Sequence, residues 1–316
     1  MGENKIIAVV GATGAQGGGL VRAILRDAGG GFSVRALTRN PGTRRAGELR
    51  AAGATVVAVD LDDAASVRAA FEGADAAYCV TFFWSHLSPE KELAQARTMA
   101  DAARDCGVQH VVWSTLEDTR RWVPLGDSRM PTLMGRFKVP HFDAKGEADQ
   151  LFLDRGVPTT FLLTSFYWDN FIEFGMGPQR GRDGVAEITF PMGDAKLPGI
   201  AVEDIGACAY SIFKDRASFL GKRIGIAGEH LTGLEMAAAL SRALGQEIRY
   251  RDISLPDYRR LPIAGAAELA NMFQFKRDFQ AVFCGARSVE QSRVLHSSLH
   301  TLAAWLAENR GRISVT

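Results

Sequence analysis

Three kinds of residue in this chain have types and spacing suited to chemistry. They are a glycine triplet, an arginine cluster, and a histidine four residues before a lysine. The glycines are Gly11, Gly14 and Gly17 in KIIAVVGATGAQGGG. They separate an apolar run over 5–10 from helical spacing over Leu20 to Arg26. Glycine is poor in both strands and helices, so its concentration at that junction needs a cause. In a GxxGxxG turn the first glycine permits the tight bend. The second lets the backbone approach a pyrophosphate, and the third lets the helix pack closely on the strand. The helix N-terminus then offers N–H groups and the positive end of its dipole to the phosphates. Thr13, Ala15 and Gln16 lie in the same loop and are binding candidates with the glycines. The plainer alternative, glycines for turn and packing only, leaves Gly18 and Gly19 poorly explained.

The end of the second strand bears on which dinucleotide is bound. An Asp or Glu there would hold the ribose 2′-hydroxyl of NAD. This chain has LTRNP, with Thr38, Arg39 and Asn40. A guanidinium at that place suits the 2′-phosphate of NADP, through charge-assisted hydrogen bonds. Arg44 and Arg45 follow and add positive potential. A solvated charge cluster is the alternative. Asp60 and Leu61, in VDLDD after the third strand, are expected beside the adenine. The expected cofactor is NADP(H).

Such residues need a scaffold that delivers them to one edge of a sheet. The run over 5–10 suits a strand buried on both faces. FSVRALTR (32–39), ATVVAVD (54–60), ADAAYCVTF (74–82), VQHVVWST (108–115) and PTTFLLT (158–164) read as further strands. Helices are predicted over AGELRAAG, ending at Gly53, over 64–73, from Pro89 to Gly107 and from Phe142 to Arg155. The alternation predicts an α/β fold, a Rossmann-type doubly wound parallel sheet with right-handed crossovers. After residue 165 the rhythm changes. Residues 174–199 read as Gly- and Pro-rich loops around a short strand. Helices over 202–215, 232–245 and 300–309 and strands over 222–228 and 247–254 follow. This predicts a Rossmann domain over 1–165 and a smaller C-terminal α/β domain over 166–316, part of which rejoins the main sheet.

Composition narrows the function classes. The 316 residues are 47% hydrophobic and 23% charged, with net charge +1, so no global field draws in nucleic acid or an anionic membrane. No apolar run approaches the roughly 20 residues that span a bilayer. The first residues lead directly into a strand, without a signal-peptide layout. Cys79, Cys106, Cys208 and Cys284 form no CxxC pair and read as buried thiols in a reducing compartment. A cytoplasmic protein without a metal is expected.

VVGATGAQGG, VRALTRNP, VTFFW, HFDAKGEAD and ANMFQF together resemble the NmrA-like family, atypical members of the short-chain dehydrogenase/reductase superfamily. The resemblance covers nearly the whole chain and is strongest to NADPH-sensing members. It implies cofactor contacts at the glycine loop, Arg39, Thr81, Phe82, Phe83, Lys145 and the stretch Ser165, Phe166, Tyr167 and Trp168. It also implies a redox state read out through dimerisation or through binding of a regulatory protein, although some relatives are enzymes.

The superfamily's catalytic pattern is Tyr-x-x-x-Lys with a serine on the fifth strand. The tyrosine donates a proton and the lysine lowers its pKa. The matching stretch here is His141-Phe142-Asp143-Ala144-Lys145, with Ser114 and Thr115 closing the fifth strand. The lysine is kept and the phenol is lost. In one reading Lys145 only holds the cofactor and the protein is a redox sensor. In another His141 is the proton donor, since imidazole titrates near neutral pH. The second reading makes the chain an NADPH-dependent reductase of a carbonyl, quinone or imine in the interdomain cleft. A scaffold holding NADP permanently is a third. Tyr167 is a further candidate for reaching a substrate.

Weaker signals complete the reading. His296 and His300 have helical i, i+4 spacing and no third ligand, which favours a polar helix face over a metal site. FYWDNFIEF (166–174) lines either an apolar pocket or a helix core. RTMADAARD (97–105) and RRLPIAGAAELANMF (259–273) look like amphipathic helices, the first a candidate dimer face.

Overall fold

The computed structural model describes residues 4–316. The chain divides into two compact units that interleave along the sequence. The first runs up to Asp118 and adds His141–Leu163 and Glu203–Ile224; the second is Thr119–Pro140, Thr164–Val202 and Gly225–Thr316. The single expected break at 165/166 is thus crossed by excursions in both directions.

In chain order the elements begin β1 (Lys5–Val9), α1 (Ala15–Arg26), β2 (Phe32–Thr38), α2 (Arg44–Ala51), β3 (Thr55–Ala58) and α3 (Ala64–Phe71). Next come β4 (Ala76–Cys79), α4 (Pro89–Asp105), β5 (His110–Thr115), α5 (Pro140–Asp154) and β6 (Thr159–Leu163). They continue with β7 (Phe166–Tyr167), α6 (Asn170–Glu173), β8 (Gln179–Arg180), β9 (Ala186–Phe190), β10 (Leu197–Ile200) and α7 (Val202–Lys214). Then follow α8 (Arg216–Phe219), β11 (Arg223–Gly225), β12 (Glu229–Leu231), α9 (Gly233–Leu244) and β13 (Ile248–Asp252). The last are α10 (Leu255–Arg259), α11 (Ala266–Asp278), α12 (Gln280–Gly285), α13 (Val289–Leu295) and α14 (Leu302–Asn309).

The first unit is built on a seven-stranded sheet in the order β11-β6-β5-β4-β1-β2-β3. β1 pairs parallel with both β2 and β4, with Val9 opposite Ala36 on one side and Tyr78 on the other. Strand order reverses at β1, so the carboxyl ends of β1, β2 and β4 frame the crevice where such sheets bind ligands. β5 and β6 are buried throughout, as strands covered on both faces must be. Phe71, Met99, Trp113 and Phe152 lie in the core cluster on one face. α4 starts and stops where its sequence says. The Ser88 side chain accepts the Lys91 N–H, Pro89 opens the helix, and Gly107 follows its end in the left-handed region at φ 65°.

α7 and β11 return to this unit from late in the sequence. The return of α7 depends on Gly206, where an added Cβ would lie 2.1 Å from the carbonyl carbon of Gly19 in α1. Only glycine allows that approach. Glu203 pairs with both Arg22 (2.6 Å) and Arg26 (2.8 Å) of α1.

The second unit contains two three-stranded sheets, β12-β10-β7 and β13-β9-β8. Residues 174–199 therefore hold three strands rather than loops around one. RRLPIAGAAELANMF is not one helix. α10 ends at Arg259 and α11 begins at Ala266, with Pro262 and Gly265 (φ 74°) between them. Proline lacks the donor a helix needs, and a left-handed glycine turns the chain. His296 and His300 share no helix face either, because α13 stops at Leu295 and Thr301 caps α14. Two of the four thiols, Cys106 and Cys284, are partly exposed rather than buried, and none is in a disulfide. Among the described residues no His/Cys/Asp/Glu group could hold a metal, and no helix is long and apolar enough to cross a membrane.

Candidate functional site

The glycine turn forms where the sequence places it. Gly11 adopts φ 66°, its neighbour Ala12 donates its N–H to Leu37 O of β2, and Gly14 donates to Gly11 O (2.8 Å). Gly14 is the N-cap of α1 and supplies no side-chain cap. A Cβ at Gly17 would lie 2.4 Å from Gly11 O, and one at Gly14 would lie 3.2 Å from the same atom. Glycine at 14 and 17 is therefore required by the loop's own backbone, and the turn leads directly into the N-terminus of α1, the kind of helix end that suits a phosphate. Gln16 accepts a hydrogen bond from the Tyr78 hydroxyl of β4. Thr13 Oγ1 lies 3.3 Å from Thr38 Oγ1, which ties the turn to the end of β2.

Arg39 follows Thr38 directly. It is exposed and, among the described residues, makes no hydrogen bond or ion pair. Arg44 instead pairs with Glu48 one turn along α2. Arg45 approaches the turn, with Nη1 3.5 Å from Thr13 O. Asp60 is exposed beyond β3 and accepts the Asp62 N–H, while Leu61 packs partly against the core.

Lys145 sits at the other end of this edge, on α5. Its Nζ lies 2.7 Å from Glu92 Oε1, 2.6 Å from Thr81 Oγ1 and 3.2 Å from Thr81 O. An ammonium has three protons, and these three acceptors match them. Thr81 closes the triangle by donating its hydroxyl proton to Glu92. Glu92 is fully buried on α4. Burial alone would raise its carboxyl, but the charge of Lys145, the nearby His86 imidazole and the bonds from Lys145 and Thr81 outweigh it and hold the group down at about 2. His86 Nε2 lies 3.5 Å from Glu92 Oε2. The ring's Nδ1 accepts the Ser88 N–H, so the proton belongs on Nε2, facing the carboxylate.

A second buried carboxylate lies one turn further along α5. Asp149 accepts the Trp113 indole N–H (2.9 Å) and the Thr115 hydroxyl (2.6 Å), and pairs with Arg223 of β11. Burial raises its carboxyl to about 6 despite these partners. The Trp113 ring stands between the two carboxylate systems, with Lys145 Nζ 5.3 Å from its centroid.

The expected catalytic set does not assemble. Trp113 and Thr115 face α5, so alternation along β5 turns Ser114 to the opposite face. Thr115, whose hydroxyl also reaches Lys145 O at 3.1 Å, takes the place next to α5. His141 is buried among rings, 5.0 Å from Trp84 and 5.7 Å from Phe83. Phe82 is half exposed and Phe83 is buried. In the second unit Ser165 donates its hydroxyl to Ile226 O. Phe166 packs edge-on against Phe171 and Phe190. Trp168 is 1% exposed, against Gly199 and Gly228. Tyr167 alone of these four keeps appreciable exposure. FYWDNFIEF is thus mainly packing. Sequence reasoning missed Glu92, His86, Asp149 and Arg223. The one available signal was Glu92 itself, a carboxylate on the alanine-rich, core-facing side of α4.

The chain matches the model of the NmrA-like family over residues 3–306. It is 30% identical over 293 residues to the NmrA-like family domain-containing oxidoreductase FrzB of Cladobotryum sp, across 85% of this chain and 83% of that protein. It is 30% identical over 259 residues to the nitrogen metabolite repression protein nmrA of Emericella nidulans, across 78% and 68%. Among solved structures it is similar to NmrA, a negative transcriptional regulator, in complex with NADP. The TM-score is 0.80 and the identity 26%, over 97% of this chain and 95% of that one. The same regulator in complex with NAD is matched equally well. The chain belongs to the NmrA-like family.

Proposed function

We propose that this chain is an NADP(H)-binding regulator, a redox sensor without conventional dehydrogenase activity. The observation that carries the reading is Lys145, whose three protons already have protein acceptors. No tyrosine stands four residues before it, and Ser114 alternates away from Trp113 and Thr115, which face α5. The residues fit the cofactor, because the Gly11–Gly17 turn leads bare backbone into the N-terminus of α1 and Arg39 makes no hydrogen bond or ion pair among the described residues. The N–H groups at the start of α1 are assigned to the pyrophosphate and Arg39 to the 2′-phosphate, with Arg45 rather than Arg44 as the second charge. Asp60 and Leu61 are assigned to the adenosine side. Thr81, Phe82, Phe83 and Lys145 are assigned to the other half. When bound, the cofactor can supply a hydride. Cofactor occupancy would order these loops and so change association with a regulatory protein or a second copy, in the cytoplasm.

A reductase reading has one observation in its favour. His141 sits beside Trp84 and Phe83, rings able to enclose a flat acceptor, and the similar protein FrzB is named an oxidoreductase. His141 would then donate the proton to a carbonyl, quinone or imine. The test is an NADPH titration followed by a panel of quinones, aldehydes and imines. Binding without oxidation is the expected result. Oxidation that depends on acceptor and disappears in Lys145→Ala establishes the reductase instead.

A further inference from the structure

Glu92 belongs to none of the motifs, yet it is the most deeply committed charge at this edge. A buried carboxylate is costly unless it is paired. Here it pairs with Lys145 at 2.7 Å, while His86 keeps its single proton toward it and adds no charge in that tautomer. The Glu92–Lys145 unit is therefore net neutral.

A dinucleotide at a switch point straddles it. With the pyrophosphate at Gly11–Gly17 and the 2′-phosphate at Arg39 beside β2, the remaining half runs toward the ends of β4 and β5, where Thr81 and Lys145 stand. That half carries the nicotinamide. Its oxidised ring bears a positive charge and its reduced ring bears none. A lone lysine there would repel the oxidised form selectively. We propose that Glu92 is a specificity-determining residue for cofactor redox state: by cancelling Lys145 it removes a charge that would otherwise bias the site against the oxidised ring, and so lets the oxidised form be sensed. This rests on the NADP(H) reading above.

The test is calorimetric titration of NADP+ and NADPH into wild type, Glu92→Gln, and Glu92→Gln/Lys145→Met. Glu92→Gln should raise the ratio Kd(NADP+)/Kd(NADPH) about fivefold, the effect of one uncancelled charge near the ring. The double variant should return to the wild-type ratio. A role in packing alone would move both variants alike, because both lack the carboxylate. An unchanged ratio in Glu92→Gln, or a double variant that stays with it, overturns the proposal. If Glu92→Gln does not fold, Lys145→Met at pH 9 carries the test with opposite sign. The carboxylate left behind should favour NADP+ about fivefold, and an unchanged ratio overturns the proposal. Wild type that binds neither nucleotide overturns the cofactor reading itself, which separates the two failures.

Discussion

Arg39 and Lys145 are both cations placed by the sequence, and their surroundings make them opposites. Arg39 is exposed and unpaired among the described residues, while Lys145 is buried with every proton accepted. Arg39→Asp should weaken NADPH binding by about 10- to 100-fold, the loss of a charge-assisted hydrogen bond, and should favour NADH relative to wild type. Fluorescence titration with both nucleotides checks it, and an unchanged preference removes the NADP assignment. The two arginines that follow can be separated in the same way. Arg45→Ala should weaken NADPH more than Arg44→Ala, since Arg45 reaches the Thr13 carbonyl of the glycine loop while Arg44 points along α2 to Glu48. At this scale the sequence showed which side chains were present but not which were already occupied. For Lys145 occupancy depends on a residue 53 positions away, Glu92.

At the scale of elements, glycines join helices to strands and helices to one another. Gly17→Ala would bring a Cβ to 2.4 Å from the Gly11 carbonyl oxygen, a backbone atom that cannot swing aside. The variant should lose about 2 kcal/mol or more, as overpacked sites do, and lose NADPH binding with it. Gly47, inside α2 and with nothing within 4 Å of an added Cβ, is the control. Gly47→Ala should raise stability by about 0.5–1 kcal/mol. Chemical denaturation of both variants distinguishes a glycine required by close approach from one that is only tolerated. The GxxGxxG turn was legible because its spacing is local. The Gly206–Gly19 contact was not, because the partners lie 187 residues apart.

For the molecule as a whole, pH dependence brings two buried groups of the first unit into opposition. Burial, with a smaller contribution from Arg216, lowers His110 to about 4. Its Nε2 is held by Thr160 Oγ1 at 2.8 Å. The unfolded chain takes up this proton first, so the stability involved is present above about pH 6.5 and is lost as pH falls toward 4. Asp149 runs the other way. Its folded carboxyl is raised to about 6, so its contribution is complete below about pH 3.8 and is lost as pH rises through 6. Each amounts to about 3 kcal/mol at most. Between pH 4 and 6 they offset one another, so denaturant midpoints of the wild type should be nearly flat there. In His110→Asn the midpoint should fall with rising pH, and in Asp149→Asn it should fall with declining pH. Parallel slopes in the two variants would refute this account.

The sequence by itself determined the βα alternation, the glycine turn, Arg39 in the place of an acid, and the His141-x-x-x-Lys145 stretch. These are local patterns: apolar periodicity, turn residues and positions counted from a strand end. Which C-terminal elements rejoin the first unit, α7 and β11, and the further strands within 174–199 were decided only by tertiary structure. So were the break before α11, the turning of Ser114 away from Lys145 and the burial of Glu92 against it. In each case the energy lies in desolvation and in contacts between residues far apart in the chain. Whether a lysine's charge stands open or is already cancelled by a buried partner depends on what folds against it, and no spacing rule carries that information.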